Sequence, residues 1–292
     1  MKRKRRFGDR SDGYRIRSMP PINKLIPHIM KSRVGSQNLI KDYVEADAIR
    51  DYIREKRRQG YDNFSFLHVL VAAYIRTVSQ RPAINRFISG QKIFARYDIE
   101  TIMTVKTKME LDAPETEVKI IFSPDATSTD VYKAFSENIK EAKGEAVSDT
   151  NFEKTIKIFN LIPNLALSIT ISLLRFIDYF GLLPKCLLNI SPFHGSVVLT
   201  SMGSLGIPPI YHHLYDFGNC PVFISYGGYR TEEEEDRDGN LQKKKYVDFT
   251  VTTDERICDG YYFASALKLL HTYLENPSVL DEKPEKIIYD ID

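Results

Sequence analysis

The residues best equipped for chemistry lie in one run, Asp254-Glu255-Arg256-Ile257-Cys258-Asp259-Gly260. Such a run of carboxylates, a guanidinium and a thiol can move a proton, hold a counter-ion or start a helix. It follows an alternating segment in which Val247, Phe249 and Val251 share a face, and it precedes an apolar helical pattern. A charged turn between two apolar elements can also be purely structural, and Asp259-Gly260 makes a turn and cap by itself. On residue types alone both readings stay open. A second block, Val197-Val198-Leu199-Thr200-Ser201-Met202-Gly203-Ser204-Leu205-Gly206, sets two hydroxyls and a glycine at the end of a buried strand pattern.

The remaining polar clusters point away from catalysis. His212-His213-Leu214-Tyr215-Asp216 lies in a loop with Pro208 and Pro209 and reads as aromatic and polar loop contacts. His68 sits among apolar neighbours on a helix and reads as a core histidine. His194 precedes a strand near Thr200, with nothing specific to join the two. Asp238-Gly239 is a two-residue turn signal. Centred there, a hairpin over 222–253 pairs Arg237 with Asn240 and sets Glu234, Glu233 and Glu232 opposite Lys243, Lys244 and Lys245. Opposite charges across the strands favour that register, so the acidic run reads as a solvated hairpin and no metal site is expected.

The elements that must position these residues follow from periodicity. Strands are predicted at Asn38–Glu45, Asp98–Lys108, Thr116–Ser123, Ser196–Ser201 and Val222–Tyr226, with a turn-rich Asp112–Thr116. Helices are predicted at Ala46–Arg58, Phe64–Gln80 (ended by Pro82), Thr129–Lys143 and Tyr261–Glu275 (ended by Pro277). Leu161–Ile190 is apolar but interrupted by Pro163, Arg175, Asp178 and Pro184. Its longest uncharged part falls short of the roughly 20 residues of a spanning helix, so a buried helix pair is expected and no membrane association. Strands and helices do not alternate as in a doubly wound sheet, which leaves a mixed sheet with helices packed on it.

Charge divides the chain unevenly. The net charge of +2 over 292 residues hides eleven bases and two acids in residues 1–33, and thus a net −7 on the rest. Residues 1–21 read as a basic arm and 22–292 as one domain. The run of bases at 2–6 could neutralise phosphates, yet no nucleic-acid motif accompanies it; a solvated arm, or one docked on a neighbour's acidic body, is the expectation. No apolar stretch follows the bases as in a secretory signal. Three cysteines without paired spacing fit reduced thiols in a cytoplasmic protein.

The two glycine blocks together resemble the catalytic domain of the 2-oxo acid dehydrogenase acyltransferases, which share the chloramphenicol acetyltransferase fold. That family carries Asp-His-Arg-x-x-Asp-Gly after a strand, and Ser-Asn-Leu-Gly-x-x-Gly at the end of another. Leu274-Glu275-Asn276-Pro277, Ile29-Met30-Lys31-Ser32, Glu45-Ala46-Asp47 and the 64–80 helix with Pro82 and Asn85 extend the resemblance over roughly 22–280. It implies an α/β (α+β) fold with a mixed sheet; beside that family the chain carries an added apolar helical segment around 158–190, and the charged hairpin read above around 222–253. It also implies a homotrimer in which coenzyme A and a lipoyl thiol meet between subunits, the lipoyl group being carried by a separate protein. A lipoyl domain and a subunit-binding domain are not expected within this chain.

By the same resemblance Thr200 supplies the hydroxyl that stabilises an oxyanion, and Asp259 orders the site. Ser201, Gly203, Asp254, Arg256 and Gly260 support the motifs. Glu255 stands where the family has the histidine that takes the thiol proton. A thiol near pKa ~8.5 is about 2 units from imidazole and about 4 from a free carboxylate, a gap worth roughly 3 kcal/mol, or about a hundredfold. The expectation is therefore acyl transfer to or from acyl-CoA with altered or lost activity. The alternative is a non-catalytic trimeric binding or assembly protein on the same fold.

Overall fold

The structure is a computed structural model that describes residues 4–106, 115–143, 162–235 and 238–292. Its main sheet has six strands. β2 (Gln37–Glu45) pairs with β9 (Leu241–Asp254), then come β8 (Val222–Glu235), β7 (Val197–Ser201), β5 (Ile99–Lys106) and β6 (Glu115–Phe122). β7 runs parallel to both of its neighbours, and the other pairs are antiparallel. This is the mixed sheet expected from the strand patterns. Short β7 is near-continuously apolar because both of its faces are covered. Val197 and Leu199 join the large core under the helices, whereas Val198 joins Ile102, Leu214 and Phe223 on the opposite face.

The helical layer explains the apolar periodicities. α3 (Phe66–Gln80) is buried along nearly its whole length, because it lies between the sheet and the neighbouring helices. α4 (Ser128–Lys143) adds Val131 and Phe135, and the C-terminal helix α7 (Gly260–Glu275) adds Ala266, Leu270 and Leu274 at four-residue spacing. α2 (Asp47–Arg58) presents Ile49 and Ile53 to the same core. The α3 N-terminus is closed locally. His68 Nδ1 accepts from the Ser65 amide at 3.0 Å while its ring stacks on Phe64. Burial pushes the His68 pKa down to about 4, which makes it the neutral core histidine anticipated.

Three expectations need correction. First, residues 9–19 do not form a solvated arm. β1 (Gly13–Arg15) joins β4 (Lys92–Arg96) and β3 (Arg86–Ser89) in a second sheet, and Asp9, Arg10 and Asp12 are buried. The Arg10 guanidinium meets Asp12 at 2.8 Å and Asp178 at 2.7 Å. Against the burial that would raise it, Arg10 and Arg96 hold the Asp12 pKa down at about 2. The two acids of the basic segment thus anchor it, which a net-charge count conceals.

Second, the hairpin register is one residue off. Glu232 faces Lys244, Glu233 faces Lys243 and Glu234 faces Gln242. A bulge at Gly227–Gly228 shifts the register between Tyr226 and Tyr229, and the connecting loop is longer than two residues. Charge pairing survives the slip: Lys244 lies 3.4 Å from Glu234 and 3.3 Å from Glu45 of β2. Arg237 lies outside the described residues.

Third, the apolar segment is not a buried helix pair. α5 (Asn164–Tyr179) and the short α6 (Lys185–Ile190) do form, but the outer face of α5 is open: Leu165, Ile169, Leu173 and Phe176 are all exposed. Only its inner side and Asp178 meet the body. Hydropathy recorded how apolar the helix is; it could not record whether this chain has a surface left to cover it. Residues 158–161 of that segment and 112–114 of the expected turn lie outside the described residues.

Candidate active site

β9 ends at Asp254, whose side chain is wholly buried. Arg256 grips it with two parallel bonds, Nε to Oδ1 and Nη2 to Oδ2, each 2.7 Å. The third guanidinium nitrogen, Nη1, donates to the Met30 carbonyl at 2.8 Å. Arg33 Nε lies 3.6 Å from the same carboxylate, and burial, with Arg256 nearby, lowers the Arg33 pKa despite Asp254 acting the other way. A charge so deeply placed is tolerable only when paired and hydrogen-bonded. The clamp therefore fixes the 254–260 loop against the segment after α1 (Pro21–Ile29).

That clamp decides where Glu255 goes. Its amide donates to the Ser36 carbonyl at 2.9 Å, and with residues 254 and 256 turned inward its side chain is exposed. Asp259 is also exposed and caps α7, accepting from the Tyr262 amide at 2.9 Å. Between them Cys258 is largely enclosed, and burial pushes its thiol up to about 12. It stays protonated and is no nucleophile at neutral pH. A cleft of about 340 Å³ opens in front of this loop, lined by Asn23, Ile26, Met30, Asn38, Glu255 and Asp259 among others. A Cβ placed on Gly260 would meet nothing within 4 Å, so the backbone there faces open space.

The other motif sits elsewhere on the sheet. Thr200 faces Ser225 on β8, and Ser225 faces Thr250 on β9. Ser225 Oγ accepts from the Ile210 amide and Thr250 Oγ1 donates to the Ile210 carbonyl at 2.5 Å, so these two hydroxyls tie down the 207–214 loop. Thr200 has no side-chain hydrogen bond to another described residue. The neighbouring Ser201 bonds the Tyr226 hydroxyl, whose pKa burial raises to about 12. Gly203 follows because nothing larger fits: a Cβ would lie 2.6 Å from the Gly227 oxygen and 2.7 Å from the Gly228 nitrogen. The Gly227–Gly228 bulge and Gly203 pack backbone against backbone.

Within one chain the two motifs do not meet. Glu255 is two strands across and five residues along from Thr200, roughly 20 Å at ordinary strand spacings, and Thr200 does not line the Glu255 cleft. Asp254, Glu255, Arg256, Asp259 and Gly260 share one loop. Thr200, Ser201 and Gly203 share another.

The other histidines are held by packing and hydrogen bonds. The His212 ring stacks on Phe223 with centroids 3.9 Å apart. His194 is buried between Ser191 (2.7 Å) and Asp178 (3.3 Å). Sequence reasoning missed Arg33, Asn23 and Asn38 as neighbours of the site. The sequence signals near them were the Ile29-Met30-Lys31-Ser32 match and the strand expected from Asn38, but their closeness to Asp254 is purely tertiary.

The mixed sheet with its helical layer has the chloramphenicol acetyltransferase-like fold, as similar solved structures show. No family profile matches the chain, and no curated protein is similar to it in sequence. Solved structures are similar in fold. A probable dihydrolipoamide acetyltransferase from Listeria monocytogenes matches with a TM-score of 0.55 at 14% identity, over 94% of this chain and 99% of that one. The dihydrolipoamide acetyltransferase of Azotobacter vinelandii matches at 0.57 and 11% identity, over 91% and 93%. That protein was studied for the catalytic role of a serine, a histidine and an asparagine, the last two being four positions apart. A chloramphenicol acetyltransferase matches at 0.53 and 14% identity, over 87% and 94%.

Proposed function

We propose that this chain is an acyltransferase-type protein acting on a CoA thioester, with chemistry altered or lost at the proton-transfer position. One observation carries the reading. On the shared fold, the loop after β9 holds an exposed carboxyl group, Glu255, four residues before the helix-capping Asp259. The Azotobacter enzyme has a histidine and an asparagine at that same spacing. The buried Asp254–Arg256 pair supports it by leaving residue 255 exposed at the cleft of about 340 Å³.

Thr200 is the proposed oxyanion donor and Asp259 the ordering group. Their distance within one chain is bridged by a neighbouring copy, so the site is complete only in a homo-oligomer, and a trimer is the proposed form. Coenzyme A or acyl-CoA is the proposed substrate, and a lipoyl thiol on a separate protein is one candidate acceptor. Glu255 is poorly matched to a thiol proton and, when ionised, repels a forming thiolate. Its exposure favours the second reading, a binding or assembly protein that keeps the fold and the oligomer without the reaction.

The test is acetyl transfer from acetyl-CoA to dihydrolipoamide by purified protein, before and after Glu255→His. Activity that appears or rises on the substitution, and falls again with Thr200→Val, supports the acyltransferase reading. No transfer by either form, together with an intact oligomer and no binding of CoA, refutes it.

A further inference from the structure

The outer face of α5 is a feature the proposed reaction leaves unused. Leu165, Ile169, Leu173, Phe176 and Phe180 recur at three- or four-residue spacing, so they form one stripe about 22 Å long. All five are more than half exposed, and Leu182 just beyond is 70% exposed. From 164 to 182 the only charged residues are Arg175 and the buried Asp178. A continuous apolar surface of this kind marks an interaction site. It does not cross a bilayer, since no described helix is long and apolar enough.

What lies beside the stripe identifies its occupant. Arg10 binds both the carboxylate and the backbone carbonyl of Asp178 at the end of α5. The residues just before Arg10 are thereby brought to the end of the stripe. Arg5, Arg6 and Phe7 line one cleft with Lys92, Phe180 and Leu182. Asp9 holds this run in place, accepting from the Arg6 amide at 2.8 Å and from Arg5 through its carbonyl. Phe7 is fully exposed, and Lys4, Arg5 and Lys92 are exposed around it. Bases therefore rim an aromatic and aliphatic surface.

We propose that this face docks on an anionic lipid surface, with α5 lying in the plane of the interface and Lys4, Arg5 and Lys92 on the headgroups. Apolar burial and basic flanks act together in such binding. A second copy seated on the same stripe is the competing occupant, and the solution mass of the stripe variants distinguishes the two. A nucleic acid would engage the bases and leave the stripe uncovered. The proposal does not depend on acyl transfer and is read without any activity.

The experiment is co-sedimentation of the full chain with phosphatidylcholine vesicles, with and without phosphatidylglycerol, at low and high salt. The intact protein is expected to bind the anionic vesicles, and more weakly as salt rises. Replacing Lys4, Arg5 and Lys92 by Gln is expected to weaken binding about fivefold per base, roughly a hundredfold in all. Ile169→Gln with Leu173→Gln, both exposed and free of core contacts, is expected to weaken it at least tenfold while the solution mass is unchanged. Failure of the intact protein to bind anionic vesicles overturns the proposal. So does binding that ignores the stripe substitutions, or a fall in solution mass on making them, which would assign the stripe to a second copy. Salt-sensitive binding to duplex DNA with no vesicle binding would overturn it in favour of nucleic acid.

Discussion

Replacing Arg256 by Met keeps most of the side chain's volume and removes its charge and three hydrogen bonds. In the native fold those bonds go to both oxygens of Asp254 and to the Met30 carbonyl. The substitution strands a fully buried carboxylate with Arg33 at 3.6 Å and the residue-256 amide at 3.2 Å as remaining partners. Breaking a buried pair by removing one member costs about 3–5 kcal/mol. Because Arg33 remains, we expect the lower end, about 3 kcal/mol. Asp254→Asn removes the stranded charge, so the double variant should be less destabilised than the two single costs added, by about 2 kcal/mol. Glu255→Gln, on the residue between them, should change stability by less than about 0.5 kcal/mol, since its side chain is exposed. Urea unfolding with linear extrapolation measures all four, provided the slope m is unchanged. A cost under about 1 kcal/mol for Arg256→Met, or strict additivity in the double variant, would refute the view that this pair sets the loop.

Three further outcomes follow from single residues. The His68 pKa is lowered to about 4 by burial, against about 6.5 in an unfolded chain. The unfolded chain therefore binds this proton more tightly, so the contribution is fully present above pH 6.5 and is lost as pH falls toward 4. It amounts to about 3 kcal/mol, read as a fall in urea midpoint that the His68→Gln variant does not show. Gly203→Ala should cost about 2–3 kcal/mol, because its Cβ would strike the Gly227 and Gly228 backbone rather than a movable side chain. Gly260→Ala, with nothing within 4 Å of the new Cβ, should leave thermal stability unchanged or slightly raised.

Much of the fold was legible because local pattern and burial coincide. The alternation of Val247, Phe249 and Val251 marked β9, and the apolar spacing of 66–80 marked α3. Asp259 was readable as a cap because capping is decided within one helical turn. The Glu–Lys hairpin was readable too, except for its register. There Glu235 pairs with Leu241, so the connection is not the two-residue Asp238-Gly239 turn the pattern suggested; the further shift at Gly227–Gly228 depends on what packs against it, in this case Gly203.

What the sequence by itself determined was the mixed α/β character, the order of most elements, and the two glycine-containing loops. These follow from periodicities of two and 3.6 and from turn chemistry, all properties of neighbouring residues. Only the tertiary structure decided that Asp254 is held by Arg256 and Arg33 so that Glu255 points out, and that Thr200 lies far from Glu255 within one chain. It also decided that Asp9, Arg10 and Asp12 are buried under a small sheet, and that the stripe of α5 faces outward. Each of these depends on groups distant in sequence meeting or failing to meet, and on whether the surface available in one chain suffices to cover an apolar face. No count of charges or hydrophobic residues contains that information, because burial is a property of the packed surface and not of the segment.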